Sequence, residues 1–232
     1  MISKEKALDL LREVNTIGAG RVATALSEML RAKVELSFPE AEFITFKNLI
    51  LKLDLGKIFF IIETNLEGDI LGRLSFLLHM QDAQILGSNL LKKSPEEIDP
   101  QDLLFQSSLR ETVNIFGGSY TEVLSEMTHL NIFYNVPFLN LGSKETYLGS
   151  IPEQFNIPEL MFYISTTITV ENIHFKGALL FLLDYNSIRR LFEALDESEL
   201  VLWIELMKMK IQKIGKDKGA SGEISDNIKY LS

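Results

Sequence analysis

The stretch SSLRETVNIFGGSYTEVLSEMTHLNIFYNVP, residues 107–137, decides how the rest of the chain is read. Ser107, Glu111 and Asn114 stand at i, i+4 and i+7, and twenty-two residues separate Asn114 from Pro137. On a helix the first three side chains line up along one stripe. Leu104, Leu109, Val113 and Phe116 supply apolar residues for the other side. The spacing therefore predicts a helix that holds a carboxylate and a carboxamide out together while an apolar face fixes them from behind. A rigid element of this kind suits a site that needs geometric precision.

The stretch has an earlier counterpart, DLLREVNTIGAGRVATALSEMLRAKVELSFP, residues 9–39. Asp9, Glu13, Thr16 and Pro39 fall on Ser107, Glu111, Asn114 and Pro137 at a constant offset of 98 residues. Ile17, Gly20 and the run 26–29 fall on Ile115, Gly118 and the run 124–127. Further on, GRLSFLL (72–78) matches GALLFLL (177–183) at an offset of 105 residues. Blocks recurring in the same order define an internal duplication, with a period far longer than a solenoid's. Two repeats, 1–97 and 98–196, are expected to build one domain, 1–196, followed by an appended segment, 197–232.

Asp or Ser, then Glu, then Asn, then Pro at these spacings, with an Ile-Gly-Ala-Gly-like run beside them, resembles the CheC/CheX/FliY family. Its members are bacterial chemotaxis phosphatases that act on the phosphorylated response regulator CheY. The two-copy arrangement resembles the CheC branch most. The resemblance implies an α/β fold of α+β character, with pseudo-twofold halves, a shared antiparallel-rich sheet and the long motif helices packed on its outside. It also implies a division of labour at the second stripe. A carboxamide carries both an acceptor and donors, so Asn114 would hold the attacking water in line with the phosphorus. The carboxylate of Glu111 would anchor the regulator's active-site lysine.

Phosphoryl transfer rests largely on positioning and on electrostatics supplied by a metal. By the resemblance that Mg²⁺ belongs to the regulator, and this chain needs no cofactor of its own. Fixing a water in near-attack geometry draws on the roughly 7–11 kcal/mol that orientation makes available. The first stripe departs at the decisive place, because Thr16 stands where the second has Asn114. A hydroxyl sits closer to the backbone and forks differently from an amide. Asn15 is adjacent but about 100° round the helix, off the stripe. The first site (Glu13, Thr16, Asn15) is therefore expected to be degenerate, with Asp9 and Glu13 left to dock a partner. Ser107, Pro137, Asp9 and Pro39 read as scaffold: Ser107 as a helix-cap or helix-surface residue, the prolines as strand-ending or turn residues.

The composition fits this reading. The chain has 232 residues, 46% of them hydrophobic, enough to bury a full core. A net charge of −9 argues against nucleic acid, which calls for a basic footprint. The longest apolar runs are too short to span a bilayer. The start, MISKEKALDLL, lacks the apolar core of a secretory signal, and no cysteine is present. A cytoplasmic protein with no membrane insertion is expected. His79, His129 and His174 are scattered without ligand spacing, so no metal site is expected. IGAG (17–20) and FGGS (116–119) are not phosphate loops, since no Gly-Lys-Ser/Thr follows either.

Periodicity predicts helices over 4–30, 81–91, 101–129 and 185–195, with Gly18 and Gly20 each costing the first about 1 kcal/mol relative to Ala. Strands are predicted at 34–38 (ending at Pro39), 49–54, 58–65, 69–78, 131–136, 160–170 and 173–183, the last two as a hairpin about Glu171-Asn172. Residues 142–158 read as a long loop. Leu200, Ile204, Met207, Ile211 and Ile214 give the appended segment an amphipathic helix, which either packs back on the domain or serves docking and self-association. A second functional reading is a non-catalytic scaffold of this family for the deamidase CheD, a response regulator or the flagellar switch.

Overall fold

The computed structural model describes residues 2–44, 48, 51–52, 58–151, 161–171, 173–195 and 201. In chain order these form α1 (Ile2–Leu30), β1 (Val34–Ile44), β2 (Phe59–Gly68), β3 (Gly72–His79), α2 (Met80–Leu91) and α3 (Leu103–Thr128). There follow β4 (Ile132–Tyr134), β5 (Phe138–Gly142), α4 (Lys144–Ser150), β6 (Met161–Val170), β7 (Ile173–Leu183) and α5 (Tyr185–Ala194). Every strand among the described residues joins one antiparallel sheet in the order β1-β6-β7-β3-β2-β4, with β5 also on β2.

The repeated blocks meet at the centre of that sheet. GRLSFLL lies in β3 and GALLFLL in β7, and the two pair antiparallel from Gly72↔Leu183 to Leu78↔Gly177, with Ser75 opposite Leu180 at the midpoint. Two equivalent strands paired antiparallel about their central residues generate a local dyad. Reading outward from it, β7, β6 and β1 mirror β3, β2 and the β4–β5 pair. The halves also exchange strands: β1, from the first, pairs with β6 of the second, while β4 and β5, from the second, pair with β2 of the first. Each half thus completes the other's sheet.

Alternation along the strands splits the core into two layers. Phe60, Ile62, Leu74, Phe76, Leu78, Leu179 and Phe181 face one side, where they meet Val22, Leu26, Leu109, Val113, Phe116 and Tyr120 of the long helices. Phe59, Ile61, Leu77, Leu180 and Leu182 face the other side and are joined by Tyr147 and Ile151 of the α4 region. The helices are laid against the sheet by side-chain removal from water, worth about 25 cal/mol per Å² of apolar surface.

Several sequence expectations change. β1 does not stop at Pro39 but runs on to Ile44, with its register on β6 shifting between Ser37 and Glu40. A proline is tolerated there because the strand lies at the sheet edge and the ladder is already interrupted. Of 49–54, only Leu51 and Lys52 are described, and they are helical rather than strand. The expected loop at 142–158 contains α4, whose start is set by Ser143 Oγ accepting from the Thr146 amide at 3.3 Å. The remainder of that loop lies outside the described residues, as does the amphipathic segment at 197–214 apart from Val201, which is helical. Among the described residues no helix is long and apolar enough to cross a membrane.

Candidate functional site

Helix α3 starts cleanly because Asp102 accepts the Leu104 amide at 2.8 Å, which satisfies one of the orphan donors of a helix start. It ends at His129, whose left-handed backbone (φ 57°) turns its amide back to the Ser125 carbonyl. Between these caps Phe105, Leu109, Val113, Phe116 and Tyr120 are buried. Phe105 stands edge-on to Phe60, with ring centroids 5.5 Å apart. Phe116 lies between Phe76 and Tyr120 at 5.0 and 6.4 Å. The roll of the helix is therefore fixed, and with it the direction of the stripe. Leu104 is not on the buried face: it is 59% exposed, because it lies half a turn from Val113.

Glu111 is exposed and Asn114 half-buried. Neither has a hydrogen bond or ion pair among the described residues. They are three residues apart, so their Cα atoms rise about 4.5 Å along the axis, a spacing suited to touching adjacent groups of one partner. Ser107, one turn earlier, is exposed in mid-helix and takes no part in the cap, which falls to Asp102. Pro137 is buried in the break between β4 and β5, close to where the Asn135 amide donates to the Asn65 carbonyl at 3.0 Å. That break stands beside α3. A Cβ on Gly117 would sit 2.9 Å from the Tyr134 ring, so the missing side chain lets β4 approach one turn past Asn114.

The first stripe is built on α1 in the same way but is chemically altered. Asp9, Glu13 and Thr16 are all exposed. Asp9 accepts from Arg12 at 2.9 Å, and the Thr16 hydroxyl donates to the Arg12 carbonyl at 2.8 Å, which holds it against its own helix. Asn15 is away from this stripe. It is buried, and its Oδ1 accepts from the Tyr120 hydroxyl at 2.6 Å. Pro39 lies on β1. A Cβ on Gly18 would meet the Tyr120 ring at 2.8 Å, so this glycine admits the tyrosine. Arg21 then ties α1 to α3 through Glu122 at 2.7 Å and Glu126 at 2.5 Å, which hold its guanidinium above its usual range.

One neighbour of the second stripe escaped the sequence reading. Arg110 is the counterpart of Arg12, but Ser107 replaces Asp9. Arg110 therefore lacks the carboxylate partner of Arg12 and has no ion pair among the described residues, leaving a cation next to Glu111. The 98-residue offset alone, carried through Asp9 and Arg12, would have exposed this difference. No group of His, Asp and Glu suited to hold a metal ion occurs among the described residues.

Together these features define a duplicated helix-on-sheet protein with a polar stripe on each of two equivalent long helices, one of the stripes carrying an unengaged Glu–Asn pair. No family model matches the chain. Its sequence is 28% identical over 205 residues to the CheY-P phosphatase CheC of Bacillus subtilis strain 168, an alignment covering 84% of this chain and 96% of that protein. Its fold is similar to that of FliY from Thermotoga maritima (TM-score 0.68, 18% identity, 83% of this chain and 96% of that one). It is also similar to the FliG–FliM complex structure from H. pylori (TM-score 0.57, 14% identity, 81% of this chain and 98% of that one). In sequence the chain is similar to a CheC protein and in fold to FliY and FliM, in line with the resemblance its motif spacing carries.

Proposed function

We propose that this chain hydrolyses the aspartyl phosphate of a CheY-like response regulator at the stripe on α3. The observation that carries the reading is the Glu111–Asn114 pair, outward on a helix locked by its aromatic face, with no polar partner inside the described chain. Support also comes from its relative in Bacillus subtilis, a CheY-P phosphatase. The regulator brings the phosphoryl group, its Mg²⁺ and its active-site lysine. Glu111 receives the lysine and sets the register of docking. The Asn114 carbonyl oxygen accepts a hydrogen bond from a water and holds it in line with the phosphorus, so that water attacks as the aspartate oxygen leaves. Arg110 adds positive potential next to the carboxylate and favours the phosphorylated partner over the bare one. The half-burial of Asn114 restricts its rotamers, which lowers the entropy lost on fixing the water.

The stripe on α1 is the weaker site in this reading. The Thr16 oxygen is one bond shorter in reach than a carboxamide oxygen and is held to the Arg12 carbonyl. The reading is tested by phosphate release from a phosphorylated CheY-like regulator in excess over the protein. Asn114→Ala abolishes the acceleration and Thr16→Ala keeps it if α3 alone is catalytic. Equal loss in both variants would assign turnover to the two stripes together.

A second reading keeps the fold as a non-catalytic module for a response regulator, CheD or the flagellar switch. The likeness to FliM, which was solved in complex with FliG, favours it. Absence of acceleration with every CheY-like regulator tried, together with retained regulator binding, would select it.

A further inference from the structure

Arg110, Asn114 and Glu111 take three neighbouring directions on α3. At 100° per residue Asn114 lies between the other two, about 40° from Arg110 and about 60° from Glu111. Packing on either side of the helix fixes which flank each one takes. Gly117 is seven residues on from Arg110 and within about 20° of its direction. It lies against the Tyr134 ring, so Arg110 is on the flank turned toward β4. Glu122 is eleven residues on from Glu111 and within about 20° of it. It pairs with Arg21 of α1 at 2.7 Å, so Glu111 is on the flank turned toward α1. The carboxamide therefore has a cation on one side and a carboxylate on the other.

Among the described residues that cation is unpaired. Arg12, Arg21, Arg73, Arg189 and Arg190 each stand within 3.5 Å of a carboxylate oxygen. Arg110 and Arg31, the latter exposed at the left-handed end of α1, have no such partner among the described residues. In a chain with 32 acidic and 23 basic residues an arginine without a carboxylate is the exception. The side chains one turn from Arg110 are Gln106, Ser107, Val113 and Asn114, none of them acidic. On α1 the equivalent cation is engaged, since Asp9 accepts from Arg12 at 2.9 Å. Arg110 is also half-buried, which limits the rotamers of its stem and leaves the head for an anion from outside.

We propose that Arg110 binds the phosphoryl oxygens of the regulator's aspartyl phosphate while Asn114 holds the water, and that this contact lets α3 tell the phosphorylated regulator from the bare one. This rests on the function proposed above, and makes Arg110 a direct ligand of the phosphoryl group rather than a source of potential alone. A guanidinium is planar, always charged and presents a fork of N–H donors that matches two phosphoryl oxygens. Its side chain is longer than a carboxamide's, so it reaches past the water to those oxygens. The regulator's lysine goes to Glu111 on the opposite flank, so the two cations do not compete for one anion. On α1, Arg12 is tied to Asp9, and that stripe has neither the carboxamide nor an unpaired guanidinium.

The test measures the affinity of wild-type protein, Arg110→Gln, Arg110→Lys and Arg12→Gln for a CheY-like regulator, bare and loaded with beryllofluoride and Mg²⁺. Calorimetric titration reads it without turnover, and a thermal melt confirms folding of each variant. Wild-type protein is expected to favour the loaded regulator. Arg110→Gln should weaken the loaded complex about tenfold or more, the loss of a charge-assisted pair, while the bare complex changes by less than about twofold. Arg110→Lys keeps the charge without the fork and should recover only part of that loss. Arg12→Gln, whose cation is already engaged, should leave the preference unchanged. No preference in wild-type protein, equal weakening of both regulator forms by Arg110→Gln, or an unchanged loaded complex overturns the contact. Full recovery in Arg110→Lys also overturns it, because potential alone would then suffice. The hydrolytic reading is judged separately. Turnover lost in Asn114→Ala, with loaded-form binding unchanged in Arg110→Gln, removes the contact only. A protein without turnover that still loses loaded-form affinity in Arg110→Gln keeps it.

Discussion

Asn15 and Thr16 are neighbours in sequence with opposite fates, and the reason is angular. Asn15 corresponds to buried Val113 of the second half, so it points between the long helices. There it accepts the Tyr120 hydroxyl, whose burial pushes the phenol's pKa up and keeps it protonated as a donor. Tyr120→Phe leaves the Asn15 carboxamide buried and short of its partner, so a loss of about 1–3 kcal/mol is expected, read as a lower urea midpoint at unchanged slope. A midpoint within error of wild type would show that the bond contributes nothing net. Gly18→Ala acts on the same contact, since its new Cβ would press on the Tyr120 ring at 2.8 Å; overpacking of this kind costs about 1–3 kcal/mol. Glu63 is a different case. It is buried on β2 with Ser75 Oγ donating at 2.8 Å and Arg73 at 3.5 Å. Burial pushes its carboxyl pKa up, against the pull of Arg73 and Ser75. The folded state then holds the proton at pH values where the unfolded chain has lost it. Stability from this group is present below the unfolded carboxylate pKa and is lost as pH rises through the higher folded value. Glu63→Gln should therefore gain stability relative to wild type most at neutral pH, with the difference shrinking toward acid. Parallel stability–pH curves would contradict the assignment.

At the scale of elements, the long helices were legible because their apolar period extends over many turns and survives local errors. Individual positions were less secure. A count by type put Leu104 on the inner face, whereas it is exposed and Phe105 occupies the buried direction. Periodicity cannot tell an apolar residue that fills the core from one that borders a surface. Short elements were harder. β5 is five residues, and it was missed although the offset from β1 pointed to it. α4 was hidden in a polar loop, and its signal was only the Ser143–Thr146 cap. Its place is given by long-range contacts: Tyr147 is buried among the side chains of β2, β3 and β7. The Arg73 guanidinium holds the end of α4 through the Ser150 carbonyl at 3.0 Å. Arg73→Ala leaves Glu63 without its cation and frees that end, so a loss of about 3–5 kcal/mol is expected for this buried pair. Amide exchange over 144–150 should rise with it. Unchanged protection there would show that α4 is held by Tyr147 alone.

The whole molecule is set by the exchange of strands between repeats. Because β1 lies against β6 and β5 against β2, neither 1–97 nor 98–196 contains the partners of its own first strand. Each half expressed alone is expected to leave a two-strand core open and to aggregate or remain unfolded, while co-expressed halves recover the antiparallel sheet. Folding of either half alone to a monomer with native-like near-ultraviolet dichroism would contradict this. The same symmetry places two equivalent stripes on one face of the sheet, and the chemistry then depends on what each stripe kept: Glu and Asn on α3, Glu and a back-bonded Thr on α1. The candidate pair was visible in the sequence through spacing and duplication, whereas the flank that Arg110 takes depends on β4 packing against α3, which spacing does not report. The central claim is that Asn114 positions the attacking water. Its most direct measurement is single-turnover phosphate release from a phosphorylated CheY-like regulator at saturating protein, wild type against Asn114→Ala. The account expects a fall of about a hundredfold or more, equivalent to about 2.7 kcal/mol of barrier, with the regulator still bound. Release from the Asn114→Ala complex at the wild-type rate would contradict it.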